Sequence, residues 1–292
     1  MRLLRFAFGL SAALAMCIVG TAATTLSAAA HDDAEDRPYL ALGDSVSFGY
    51  ITQAGFEYIN SDNFVGYPAY IGQALRFNPV DASCPGETTG SFLSSSAVDN
   101  GCRGYRARAP LHVPYASTQL AFTTAFLRAH RETRLVTIIL GANDLLLLEN
   151  SCAGNPDCVA AGLPQALALI SMNMETILSR LRATGFHGAI VVANYYSPDY
   201  NDLEQTGIIQ LLNQTLTTAA AAHGAVVADA FTAFQTAAAN AFAGGSPCRA
   251  GLLNALPANQ FLCDIHPSQS GQRLIAQIVR AAFRKEMRNG TD

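Results

Sequence analysis

"ALGDSVSFGY", residues 41–50, is the stretch on which both fold and chemistry turn. The apolar run Pro38-Tyr39-Leu40-Ala41-Leu42 breaks off in Gly43-Asp44-Ser45. That order puts a small turn, carrying a carboxylate and a hydroxyl, where a buried strand leaves a sheet. Ser45 in such a place reads in two ways: as a helix cap whose oxygen accepts a backbone N–H, or as a nucleophile presented at a sheet edge.

Outward from this turn, short continuous apolar runs recur: LVTIIL at 135–140, AIVVA at 189–193 and AVVA at 225–228. They are β-branched and lack alternation, the pattern of parallel strands covered on both faces. Between them the spacing predicts helices over 65–76, 117–130, 164–182, 203–223 and 268–288. Thr184-Gly185 and His223-Gly224 mark places where a helix hands over to a strand. The alternation argues for one doubly wound α/β domain. Two polar or Gly-rich stretches, 149–163 and 244–262, read as loop insertions.

The chain has 292 residues, 50% of them hydrophobic and 14% charged, which excludes a disordered protein. Residues 1–30 read as a secretory leader. Arg2 and Arg5 form its basic start, an apolar stretch follows, and Ala28-Ala29-Ala30 offers a small-residue cleavage site. The expected mature chain, 31–292, is a single domain outside the cytoplasm, extracellular or periplasmic. No later stretch supplies the ~18 or more apolar residues of an integral span. Cleavage removes Arg2 and Arg5 from the 18 Lys and Arg and none of the 22 Asp and Glu, moving the formal net charge from -4 to -6. Nucleic acid is therefore not an expected partner.

Of the seven cysteines, Cys17 falls in the leader. An even set remains in an export context, which suggests disulfides. Proximity groups them as Cys84-Cys102, Cys152-Cys158 and Cys248-Cys263, without excluding other connectivities. A zinc site is the competing reading, and neither a C-x-x-C spacing nor a His couple accompanies it. No metal and no cofactor is expected.

In an open parallel sheet, ligands collect beyond the carboxyl ends of the strands. Gly43-Asp44-Ser45 follows the first strand, Gly141-Ala142-Asn143-Asp144 follows the run at 135–140, and Asp264-Ile265-His266-Pro267 precedes the last helix. Singly, Ser45 reads as a cap, Asn143 as a turn residue and His266 as a helix-entrance residue. Together they supply a Ser, an Asn and a His to one crevice.

"GDSVSFG", "CPGETT", "GAND" and "DIHPSQSGQRLIA" resemble, in order and approximate spacing, the sequence blocks of the SGNH hydrolases, the GDSL-type esterases and lipases. The resemblance spans about 38–285. It implies a three-layer, flavodoxin-like doubly wound α/β fold with helices on both faces of a parallel sheet. It also implies Ser45 as nucleophile, His266 as base, and an oxyanion hole made of the Ser45 N–H, the Gly86 N–H and the Asn143 amide. Two departures stand out: Val46 replaces the Leu of the GDSL name, and Cys263 occupies the position where many members carry the triad Asp. Asp264 is then the expected acid, with a backbone carbonyl as the alternative partner for the imidazole. Asp44 is expected to bond the local backbone, Asp229 to be structural, Glu87 to be a solvated loop residue, and Tyr195-Tyr196 to line the pocket or the core.

The implied function is a secreted carboxylic ester hydrolase, an esterase or lipase of the EC 3.1.1 type, acting on small-molecule or lipid esters. The alternatives are a carbohydrate acetylesterase on the same scaffold and a non-catalytic glycan-binding protein. Chain order argues against the other serine-hydrolase layout, because Gly43-Asp44-Ser45-Val46-Ser47 lacks the second glycine of a G-x-S-x-G elbow and lies early in the chain.

Overall fold

The run ahead of the Ser45 turn forms strand β1 (Arg37–Gly43), whose last five residues are all buried. The computed structural model describes residues 37–289 apart from Gln53 and Ala241. The expected leader, 1–30, lies outside the described residues. β2 (Phe77–Asp81), β3 (Leu135–Ile139), β4 (Ala189–Ala193) and β5 (Val226–Ala228) complete a parallel sheet in the order β2-β1-β3-β4-β5. This is the flavodoxin-like doubly wound order, which reverses direction at β1 and β3. β6 (Leu253–Leu256) and β7 (Asn259–Pro267) form a separate antiparallel pair.

β3 and β4 are buried along their whole length, as their unbroken apolar sequences require. β2 was not apparent from sequence, since its FNPVD carries polar Asn78 and a Pro. Its edge position explains the tolerance: Pro79 cannot donate to a ladder, and β2 has a neighbour on one side only.

The helices are α1 (Ser45–Phe48), α2 (Tyr67–Leu75), α3 (Thr89–Leu93), α4 (Cys102–Arg106) and α5 (Gln119–Ala129) in the first half. In the second half come α6 (Ala142–Ser151), α7 (Pro156–Arg182), α8 (Leu203–Ala222), α9 (Ala230–Ala238) and α10 (Gln269–Asn289). Right-handed crossovers that run in opposite directions from β1 place helices on opposite faces. Accordingly α2 packs with α10, while α7 packs with α5 and α8. No helix among the described residues is long and apolar enough to cross a membrane.

Both expected insertions contain regular structure. The stretch 149–163 holds the end of α6, a short turn and the start of α7, capped by Asn155, whose side chain accepts the Cys158 N–H at 3.2 Å, with Pro156 at the first helical position. Pro164, read as a helix start, lies inside α7. The stretch 244–262 turns back into β6 and the start of β7, the strand that delivers His266.

The six cysteines of the described residues are joined as Cys84–Cys102, Cys152–Cys158 and Cys248–Cys263, each with Cα atoms 5.6 Å apart. Closing loops of 18 and 15 residues gives the first and third the larger entropic effect, about 3 kcal/mol each in the chain-entropy model. Replacing both Cys248 and Cys263 by Ser should lower Tm by roughly 5–10 °C, read by calorimetry. Mass mapping of the unreduced parent should return these three couples, and a free thiol at any of them contradicts the corresponding bridge.

Candidate active site

β1 ends at Gly43 because only glycine fits there. Its φ is +128°, and a Cβ would lie 2.0 Å from the Ile139 carbonyl oxygen on neighbouring β3. The next residue, Asp44, and not Ser45, caps α1: its Oδ1 accepts the Val46 N–H at 2.9 Å. Asp44 thus bonds the local backbone, as its sequence position suggests. Its Oδ2 accepts the Tyr195 hydroxyl at 2.5 Å. Burial pushes the Asp44 carboxyl up to about 6, against the opposing pull of the Tyr195 and Val46 hydrogen bonds.

With the cap filled by Asp44, the Ser45 hydroxyl is free to point elsewhere. Ser45 Oγ lies 3.0 Å from His266 Nε2. The other ring nitrogen, Nδ1, lies 3.0 Å from Asp264 Oδ1 and 3.2 Å from Thr52 Oγ1. Asp264 reaches a residue only two positions away because both sit on β7, where alternate side chains share a face. The same carboxylate accepts the His266 backbone N–H and, at 3.3 Å, the Thr52 N–H. Burial alone would raise the Asp264 carboxyl. The ring hydrogen bond, the His266 charge, the His266 backbone N–H and Thr52 outweigh it and hold the group below the usual carboxylate range. Tyr50 stands edge-on to the imidazole, ring centroids 5.0 Å apart, and the Tyr196 hydroxyl donates to the Ile265 carbonyl at 2.5 Å. The ring is therefore oriented from several sides.

Asn143 is buried in the first turn of α6. Its Oδ1 accepts from Asn100 Nδ2 at 2.9 Å, which leaves Nδ2 facing the Ser45 turn, 3.5 Å from Asp44 Oδ2. Gly86 has φ +83°, and a Cβ there would lie 2.4 Å from the Asn100 carbonyl oxygen. Asn100 also donates its backbone N–H to the Gly86 carbonyl at 2.8 Å, so one residue holds both Gly86 and Asn143 in place. Asp144 accepts from the Thr89 N–H at 2.9 Å and the Thr89 hydroxyl at 2.6 Å, tying α6 to the loop of Gly86. Among the described residues, the Ser45 and Gly86 N–H groups have no protein acceptor. Such donors suit an oxygen that gains charge.

Ser45, Asn143 and His266 all line a cavity of about 390 Å³. Leu145 and Leu146 of α6, Val159 and Leu163 of α7, and Ile208 and Ile209 of α8 make much of its wall. Tyr195 and Tyr196 line it as well and are nevertheless buried. Asp229 caps α9, its Oδ1 accepting the Thr232 N–H at 3.1 Å, and takes no part in this grouping.

Glu87 departs from expectation. It is not solvated but only 3% exposed, with its carboxylate accepting from Ser91 Oγ and, at 3.1 Å, from Gln119 Nε2. Burial pushes it up to about 7, moderated by these hydrogen bonds. Sequence reading also passed over Thr52 and Asn100. Nothing local distinguishes them, because their partners lie 214 and 43 residues away.

A parallel sheet in this order, with a Ser, a His and an Asp in hydrogen-bond sequence at its switch point, defines the class of SGNH hydrolases. The chain belongs to the GDSL-like lipase/acylhydrolase family, whose model matches residues 41–274. Among solved structures it is similar to phospholipase A1 from Streptomyces albidoflavus (22% identity, TM-score 0.55, covering 84% of this chain and 98% of that one). It is also similar to a lipase from a goat rumen metagenome (18%, TM-score 0.53, 84% and 96%) and to an acetylxylan esterase from Geobacillus stearothermophilus (15%, TM-score 0.51, 85% and 94%). No curated protein matches the chain.

Two substitutions test the geometry. Asp264→Asn should lower kcat on a nitrophenyl ester by roughly a thousandfold, less than the ~10⁴ of a triad carboxylate lost outright, because Thr52 Oγ1 still holds Nδ1. A loss under about tenfold, with His266→Ala inactive, would point to a dyad oriented by other groups. Asn143→Ala should lower kcat by a factor in the hundreds with little change in KM, and unchanged turnover would remove Asn143 from the oxyanion site.

Proposed function

We propose that this protein is an exported serine ester hydrolase, an esterase or lipase of the EC 3.1.1 type, whose residues from about 31 to 292 form one catalytic domain. Its leader would be cleaved near Ala30, and three disulfides suit an oxidising destination. The observation that carries the reading is the 3.0 Å contact of Ser45 Oγ with His266 Nε2 on the wall of a mostly apolar cavity.

In this reading His266 Nε2 accepts the Ser45 proton as Oγ attacks the ester carbonyl. Asp264 holds the Nδ1–H tautomer and stabilises the imidazolium. The carbonyl oxygen, now negative, sits against the Ser45 and Gly86 N–H groups and the Asn143 amide. His266 then gives its proton to the departing alcohol, leaving an acyl group on Ser45. Water, deprotonated by the same nitrogen, releases the acid.

The cavity favours a lipid-like acyl group. At about 390 Å³, within the range of small-molecule sites, it is much larger than an acetyl group needs, and its aliphatic wall would bury methylenes at about 0.8 kcal/mol each. A carbohydrate acetylesterase would leave most of this wall unused. A rate series over nitrophenyl esters of two to sixteen acyl carbons, run beside a phospholipid and an acetylated polysaccharide, decides. The expected result is kcat/KM rising several-fold from acetyl to a medium-chain optimum. A maximum at acetyl with preference for the polysaccharide would replace this reading with the acetylesterase, and no hydrolysis of any ester would favour a binding protein.

A further inference from the structure

One buried side chain outside the reacting group joins the strand end that carries Ser45 to the loop that carries Gly86. Gln119, the first residue of α5, has no solvent exposure. Its Oε1 accepts the Gly43 N–H at 2.6 Å and its Nε2 donates to the Gly43 carbonyl at 3.0 Å. The same Nε2 donates to Glu87 Oε2 at 3.1 Å. The side-chain amide thereby acts as a strand partner where β2 has run out. β2 pairing with β1 ends at Asp81 opposite Ala41, and beyond it the chain donates only the Ala82 N–H to Ala41 and the Cys84 N–H to Gly43. Glu87 is held at its other oxygen by the Ser91 hydroxyl, and its backbone N–H donates to the Cys84 carbonyl at 3.0 Å. On one side Glu87 borders a separate cavity of about 440 Å³, also lined by Ser91, Arg106 and Tyr115.

We propose that Gln119 is a positioning residue for the oxyanion site, a strut whose amide sets the spacing between the Ser45 N–H, two residues beyond Gly43, and the Gly86 N–H, one residue before Glu87. The proposal rests on the ester-hydrolase reading above. Donors act on a developing oxyanion only within about 2.7–3.1 Å. A displacement of about 1 Å in such a site costs on the order of a hundredfold. Gln119 touches none of the reacting atoms, so its loss should leave substrate binding intact and weaken only what is bound more tightly in the transition state.

The test is Gln119→Leu, which keeps most of the volume and makes none of the three hydrogen bonds. On a nitrophenyl ester kcat should fall about a hundredfold with KM within about twofold, in a protein whose circular dichroism is that of the parent. Affinity for an alkyl boronic acid, which forms a tetrahedral adduct on Ser45, should fall by a similar factor. Glu87→Ala, which withdraws the acceptor of Gln119 Nε2 together with the partner of the Ser91 hydroxyl, should lower kcat about tenfold, and Glu87→Gln, which restores an acceptor for Gln119, should recover most of that loss. Should Gln119→Leu not fold, the Glu87 pair carries the same comparison. Parental kcat in Gln119→Leu, parental boronate affinity, or no difference between the two Glu87 variants overturns the strut. If parental enzyme itself hydrolyses no ester, both readings fall, whereas an active parent confines the failure to Gln119.

Discussion

Everything at this site depends on bringing Ser45 Oγ to 3.0 Å from His266 Nε2 across 221 residues of chain. The sheet alone does not achieve it, because His266 lies on β7, in a separate antiparallel pair. The closure is made by α10, which follows β7 directly. Gln272, buried in its first turn, donates from Nε2 to the Val46 carbonyl at 2.9 Å and accepts the Tyr67 N–H on Oε1 at 2.8 Å. One side chain of the last helix is thus bonded to α1, which carries Ser45, and to the start of α2. The Cys248–Cys263 bridge secures β7 from the other direction, three residues before His266. With both ends of the short β7–α10 connection anchored, the imidazole has little freedom beyond rotation of its own side chain.

The same logic accounts for the place of the carboxylate beside His266. A cysteine stands where the family commonly carries Asp, and that cysteine is committed to a disulfide. The carboxylate supplied from 264 reaches Nδ1 because the strand is extended through 264–266 and because Thr52 bonds both members of the pair. A carboxylate so held stays ionised to lower pH than an ordinary aspartate, which suits the part proposed for it beside an imidazolium.

How much of this was legible in sequence follows from the range of the forces involved. β3, β4 and the buried end of β1 were readable because burial on both faces writes itself as unbroken apolar runs, and β5, a half-buried edge strand, because its short run is β-branched. β2 was hidden because an edge strand can carry Asn78 and Pro79. The early start of α7 is signalled by Asn155-Pro156, a cap and a first-turn proline, and was missed because the surrounding residues are exposed and show no apolar stripe. Ser45, His266, Gly86 and Asn143 stand in motifs. Glu87 does not announce its burial, since the partner that allows a carboxylate inside, Gln119, is 32 residues away and looks like any helix-start residue. Local chemistry was visible, and pairing across the fold was not.

The central claim is that Ser45 is a nucleophile activated by His266, and the most direct measurement is covalent labelling with an alkyl fluorophosphonate followed by peptide mass mapping. One adduct per chain on Ser45 is expected, absent in Ser45→Ala and slowed by at least about a thousandfold in His266→Ala. An adduct on any other residue, no labelling of the parent, or an undiminished rate in His266→Ala would contradict the account.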